Sequence, residues 1–580
     1  MATTGKAFVW KAAISGLAVC AVAAAILSVA QAQNVQAQNA EGGNRNGLGI
    51  SLLQWPMGGQ DIFNSRNQLI TGINPSNVAS LKLQWRFQTG GDVSATPAVV
   101  FNSSLRANVV YFPDFAGNFY AVNGTTGKQI WTQNVQTWTG VTGDYARDDP
   151  TVITLNGQPT IILGDQAGAL ATYTGGALQG SGAYVMAVNA TTGNLIWKTQ
   201  VEIFPGAVIT SSPVVYNNTV YVGVAGLEEG TAATPGYPCC VSRGSVVALN
   251  ATTGAKLWQT YMVPNNQGLT GGYSGGAVWG STPVIDPLRN SVYVGTGNNY
   301  SVPSSVAACI TATPMNAACT DPTDYFDSIV ALDMGTGKVK WADRAMYYDA
   351  WNVACFFNAP GTGNCPNPAG PDYDFGGAGP NLFVTSKGQQ LVGAGEKSGI
   401  YYAVNPDTGA IVWSTNVGPG SALGGIEWGT AFDFTNVYVP IVNDFSIPYA
   451  LQPSGTKVNS GSWAALDPAT GAIKWQTATP GACSGAPPQG YAQGCIALGP
   501  VSAAGGVMFG SSMDKTATNP TMFALNGKTG AILWSYAAGG TVNAGPAIVG
   551  NWVYWGSGYS HLGLGTSNPY LFAFSVPSPF

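Results

Sequence analysis

Two adjacent cysteines, Cys239 and Cys240, form the most unusual reactive pair in this sequence. A bond between neighbours closes a minimal ring with a flat, hard sulfur face, while the alternative pairs each with a cysteine of a distant loop. Ten residues upstream stand Glu228 and Glu229. With only 8% of residues charged, an acidic pair at the inner end of a strand favours a hard-cation ligand over a solvated surface charge. Other chemistries are excluded. The single histidine, His561, rules out a multi-histidine zinc site and an H-E-x-x-H protease. Its setting, Gly-Tyr-Ser-His-Leu-Gly, offers no partners for a Ser-His-Asp triad. No C-x-x-C-H is present to attach haem.

The elements that must position these residues are announced by a repeat. Ala121-Val-Asn-Gly-Thr-Thr-Gly-Lys-Gln-Ile-Trp131 recurs at Ala187–Trp197, Ala248–Trp258, Ala331–Trp341, Ala403–Trp413, Ala465–Trp475 and Ala524–Trp534. An apolar pair ends one strand, Asn or Asp opens the turn, and the Gly takes a positive φ before a second alternating strand. The Trp falls at a fixed pitch, where its ring can cover the gap to the next repeat. Leu81-Lys-Leu-Gln-Trp85-Arg-Phe resembles the outgoing half alone and Leu571-Phe-Ala-Phe-Ser-Val576 the incoming half. Seven whole hairpins and one split hairpin predict an all-β, eight-bladed β-propeller, its ring closed by N- and C-terminal strands. Closure of this kind removes open sheet edges. Insertions at 134–180, 226–242, 298–325 and 343–380 are where function is expected.

Residues 1–32 read as a secretory signal peptide: Lys6 and Lys11, an apolar run from Ala12 to Ala30, then Ala30-Gln31-Ala32 as a cleavage pattern. Residues 33–60 read as an irregular lead-in and 61–580 as one propeller domain, secreted or periplasmic, with no membrane span after cleavage. The leader contains Cys20, so eight of the nine cysteines remain. Sequence neighbours suggest the pairs Cys309–Cys319, Cys355–Cys365 and Cys483–Cys495. A net charge of −5 with no basic cluster argues against nucleic acid.

The repeats resemble those of the quinoprotein alcohol dehydrogenases, propellers that hold pyrroloquinoline quinone (PQQ) and Ca²⁺ over the central funnel. Gly226-Leu-Glu-Glu229, Cys239-Cys240-Val-Ser-Arg243, Gly424-Gly-Ile-Glu-Trp428-Gly and Val553-Tyr-Trp-Gly-Ser-Gly558 are most similar to the polyvinyl-alcohol dehydrogenase branch. The resemblance implies a Cys239–Cys240 bond on one face of the quinone and Trp279 on the other. It implies Glu228 and Asn298 as metal ligands, with Glu229 competing for the first place. It implies Lys397 on the quinone and Arg147 on a quinone carboxylate, with Arg243 as the rival cation. Thr210 and Trp428 complete the set.

For the catalytic base the chain offers Asp349-Ala-Trp-Asn352 and Pro371-Asp-Tyr-Asp374-Phe-Gly, and the second keeps the family's Asp-x-Asp. Asp372 is therefore expected as base and metal ligand, and Asp374 as a further metal oxygen of the kind that goes with lanthanides in some relatives. A carboxylate on a cation can accept a hydroxyl proton while the metal polarises the quinone carbonyl. The expected activity is oxidation of an alcohol, secondary or polymeric among the options, with electrons passed to an external acceptor such as cytochrome c or a mediator. The rival readings are a non-catalytic envelope scaffold and a PQQ sugar dehydrogenase.

Overall fold

The computed structural model describes residues 53–580 apart from 281, 357–362, 368–369, 376, 422, 482–494, 562 and 578–580. The expected leader (1–32) and most of the expected lead-in lie outside the described residues, as does Cys483. The described residues form eight four-stranded antiparallel blades. Blade 1 sets the pattern, with Ala98–Asn102 innermost, then Ala107–Pro113, Asn118–Asn123 and Gln129–Asn134. Blades 2 to 7 follow in chain order. Blade 8 takes Ala547–Val549, Trp552–Gly556 and Tyr570–Ser575 from the C-terminal end and its outermost strand, Lys82–Gln88, from the N-terminal end. The split hairpin thus closes the ring as the repeat pattern predicts.

Each repeat turn is built as its residues dictate. Asn123 Oδ1 accepts the amides of Thr125 and Thr126, and Gly127 stands at φ 69°. The strand pairing slips by one residue just after the Ala in all seven copies. The Trp then reaches into the following blade. Trp131 Nε1 donates to Ala190 O at 3.1 Å, Trp197 to Ala251 O at 2.9 Å and Trp475 to Gly527 O at 2.9 Å. Trp85 closes the circle on Gly124 O at 3.0 Å. The ring lies against the next turn's glycine, where an added Cβ at Gly254 would stand 2.6 Å from Trp197.

One element had no sequence signal. A strap lines the bore of the ring, bonding to the innermost strands in blade order. Trp55 pairs with Val99, Pro56 O accepts Val152 N, and Ile62, Phe63, Ser65 and Arg66 carbonyls accept the amides of Ile285, Leu382, Phe432 and Ala503. Asn67–Gln68 then runs parallel to Ala503–Ala504, and the Gln68 amide reaches Ile548 O. Arg66, fully buried, donates to Val501 O, Gly58 O and Thr96 Oγ1 and lies 3.9 Å from Asp149. The strap thus buries this guanidinium together with the side chains of Gln60, Asn64 and Gln68.

The turn geometry yields a paired test. Gly254→Ala should lose about 1–2 kcal/mol to the left-handed backbone and roughly 1–3 kcal/mol more to crowding against Trp197. Gly157→Ala, at φ 78° with nothing within 4 Å, should lose only the first part. Denaturant midpoints check this, and equal losses would mean that the indole contact contributes nothing.

Candidate functional site

All the candidate residues lie at one end of the ring, because they either precede an innermost strand or follow the second strand of a blade. Arg147 and Thr210 lead into blades 2 and 3, Trp279 into blade 4, Asp372 and Asp374 into blade 5, and Trp428 into blade 6. Asn298 and Lys397 follow the strands Ser291–Gly295 and Gln390–Gly395, and Glu228 and Glu229 follow Thr219–Gly226.

At the centre is Lys397. Its Nζ lies 3.2 Å from Asp372 Oδ2 and 3.5 Å from Asp374 Oδ2, with all three side chains buried. Burial works against the ammonium, but Asp372, Asp374, Glu427 and Glu229 hold its pKa well above the ordinary lysine value. Burial likewise pushes Asp372 well up, against the pull of Lys397. Glu427 is pushed to about 8 and Glu229 to about 7, in both cases by burial opposed by Lys397. One cation among so many carboxylates leaves the pocket short of positive charge.

The structure separates the two neighbouring glutamates. Glu229 faces Lys397, Asp374 and Tyr300. Glu228 turns the other way: its carboxylate accepts Tyr237 OH at 2.7 Å, Val241 N at 2.8 Å and Ser242 N at 2.5 Å. The oxygens of Glu228, the expected metal ligand, are thus engaged by the cysteine loop, whereas Glu229, its competitor for that place, is the one that faces Lys397. The two glutamates open the short helix Glu228–Thr231, where successive side chains diverge by about 100°, and composition could not tell which glutamate faces inward.

Asn298 fits a ligand role. Its Nδ2 donates to Asn299 O and Trp351 O, which fixes the amide and leaves Oδ1 completely buried without a partner. The Asp374 carboxylate lies beside the same loop, 3.2 Å from where a Cβ on Gly297 would stand. Among the described residues no three His, Cys, Asp or Glu side chains form a metal cage by themselves.

The rival base, Asp349, is also buried at this site, but its Oδ2 accepts the amide of Tyr373 at 2.7 Å, between the two aspartates. Burial and the neighbouring Asp349 push Asp327 well above the ordinary carboxylate range; sequence reasoning missed this residue because nothing distinguishes it from the next strand. Asp349 holds the loop from behind, whereas Asp372 contacts Lys397.

Cys239 and Cys240 are disulfide-bonded to each other, and the Cys309–Cys319 and Cys355–Cys365 pairs form as expected. Cys495 is disulfide-bonded, although its expected partner lies outside the described residues. The Cys239–Cys240 unit and Trp279 border one apolar cluster with Ala277 and Tyr300. Arg147, Thr210 and Trp428 line a single cavity of about 40 Å³. There the Arg147 guanidinium stacks over Trp428 at 5.3 Å and donates to Tyr559 OH. Arg243, the alternative cation, lies instead over Tyr261 at 3.9 Å. His561 stacks on Phe115 and meets Tyr145 OH at 2.9 Å.

A family model described as "Glucose/ethanol/alcohol dehydrogenase, beta-propeller domain", of the PQQ type, matches residues 55–355, and one described as "Outer membrane protein assembly factor BamB" matches 396–562. The chain is 30% identical to a polyvinylalcohol dehydrogenase of Pseudomonas sp over 544 residues, covering 89% of this chain and 74% of that one. It is 30% identical to a polyvinylalcohol dehydrogenase of Sphingopyxis sp. (strain 113P3), covering 90% and 76%. Its fold is shared with the quinohemoprotein alcohol dehydrogenase from Comamonas testosteroni, at a TM-score of 0.62 and 21% identity over 90% of this chain and 82% of that one.

The raised carboxyls set the pH dependence. Glu427 and Glu229 (ordinary value 4.5) and Asp324 (3.8, pushed to about 7) have folded values above their unfolded ones. Their contribution is complete below about pH 4 and is lost as pH rises through 7 to 8. Thermal unfolding of metal-free protein should show a midpoint that falls from pH 5 to pH 8, and less steeply in Glu427→Gln. A midpoint that rises across this window contradicts the charge assignment.

Proposed function

The chain belongs to the family of PQQ glucose/ethanol/alcohol dehydrogenase β-propellers, and on that premise we propose that it oxidises a secondary or polymeric alcohol with PQQ and a bound cation. The observation that carries this reading is the convergence of the Lys397–Asp372–Asp374 cluster with the orphaned oxygen of Asn298. A charge-poor scaffold has no need of either. The two relatives named polyvinylalcohol dehydrogenase support the substrate class.

We assign Glu229, Asn298, Asp372 and Asp374 to the cation, which is Ca²⁺ in this reading; the second aspartate also suits a trivalent lanthanide. We assign the Cys239–Cys240 face and Trp279 to enclose the quinone ring, and Arg147 and Thr210 to bond its carboxylates. Trp428 walls the same cavity. When bound, the quinone would supply the hydride acceptor and the cation the polarising charge. Asp372 takes the substrate hydroxyl proton, and Lys397 holds that carboxylate in place and offsets its charge. Asp349 keeps the Asp372–Asp374 loop in register through the Tyr373 amide.

Electrons leave through a separate acceptor, a cytochrome c or a small mediator. We further propose that residues 1–32 are a cleaved leader followed by a lead-in (33–60) and a propeller domain (61–580), so that the mature chain works outside the cytosol. Among the described residues no helix is long and apolar enough to cross a membrane.

Apoprotein supplied with PQQ and Ca²⁺ should reduce a dye with alcohols, tested on primary, secondary and polymeric substrates. Asp372→Asn should lower turnover by about 10²–10⁴-fold while PQQ still titrates at one per chain. Asp349→Asn, which keeps an oxygen for the Tyr373 amide, should stay within roughly tenfold of the parent. If Asp349→Asn is the dead variant and Asp372→Asn stays active, the roles are reversed. Failure of the parent chain to bind PQQ leaves the scaffold reading.

A further inference from the structure

Glu228 accepts only donors from the cysteine loop, and those donors bracket the disulfide. Tyr237 lies two residues before Cys239, and Val241 and Ser242 follow Cys240 directly. A completely buried carboxylate that collects one hydroxyl and two amides pins both ends of a short loop to the strand Thr219–Gly226. Tyr237 is gripped in turn from outside. The blade 2 hairpin of Thr172–Thr174 and Ala177–Gln179 sends Tyr173 over it, rings edge to face at 5.2 Å, with Tyr173 OH donating to Gly236 O at 2.9 Å. From the third side, Asn364 Nδ2 donates to Tyr237 O and Ala232 O, and Asn352 Nδ2 to Asn364 O. Three insertions therefore meet on this loop.

We propose that Glu228 is a positioning residue, the inner anchor of a brace completed by Tyr237 and Tyr173 that holds the Cys239–Cys240 face against the quinone. The quinone part rests on the function proposed above; the holding of the disulfide does not. Glu228→Gln replaces an acceptor oxygen with an NH₂ group that confronts the loop amides and frees the loop without changing volume.

The first measurement uses apoprotein alone: the rate at which a phosphine reduces the Cys239–Cys240 bond, read by alkylation and mass mapping. Glu228→Gln should raise it severalfold, and Tyr173→Phe should raise it less. The second uses PQQ titration at saturating Ca²⁺, where Glu228→Gln should weaken binding by about 10–100-fold, the scale of lost outer-shell partners. The Ca²⁺ concentration for half-saturation should stay as in the parent, whereas Glu229→Gln should raise it. A Glu228→Gln variant that shifts the Ca²⁺ requirement as Glu229→Gln does would make Glu228 a ligand and overturn the proposal. Parental reduction rates would overturn it as well. Should Glu228→Gln fail to fold, Tyr237→Phe and Tyr173→Phe decide by the same rate. If the parent binds no PQQ, the functional reading falls while the reduction rate still tests the brace.

Discussion

The ring depends on one contact made again and again: in seven of the eight blades an indole on the outermost strand donates to a turn carbonyl in the next and lies on that turn's glycine. It combines burial of a large ring with a satisfied N–H, so neither half opposes the other. Because the contact points from each blade to the next round the ring, it sets the order of blades as well as their spacing. Between blades 7 and 8 Trp534 donates to Leu81 O instead, because blade 8 has no turn of its own.

A frame held at its periphery leaves the centre free to carry residues that destabilise it. Asp327, Asp349, Asp372, Asp374, Glu229, Glu396 and Glu427 surround a single lysine. Such a cluster opposes folding unless cations or protons offset it, and only a scaffold whose stability lies elsewhere tolerates it. The cation proposed here supplies one remedy, and the raised carboxyl values are the other. Site and scaffold thus divide the work between an electrostatically strained hub and an apolar rim.

The propeller was legible because its signal is local. Asn, Thr, Gly and Trp act within one turn, and seven copies leave little room for another reading. The resemblance supplied candidates at Cys239–Cys240, Asp372-x-Asp374, Lys397, Asn298 and Trp279, and the structure gathers them at one end of the ring because the repeat fixes the strand ends they adjoin. Orientation was not legible. Glu228 and Glu229 have the same chemistry, and only the fold decides that one faces the loop and the other Lys397. Asp327 and the strap had no local signal, since the strap's partners are single backbone groups drawn from seven different blades.

The strap also constrains the order of assembly. Its residues leave the ribosome before any blade exists, yet the Gln68 amide bonds a carbonyl 480 residues further on, and Lys82–Gln88 has no sheet until the last strand arrives. Loop closure over such a span is slow. A chain whose C-terminal strands are missing therefore cannot conceal its own beginning. Trp55, which packs in one cluster with residues of blades 7 and 8, loses that cover in such a chain and so marks an unfinished molecule.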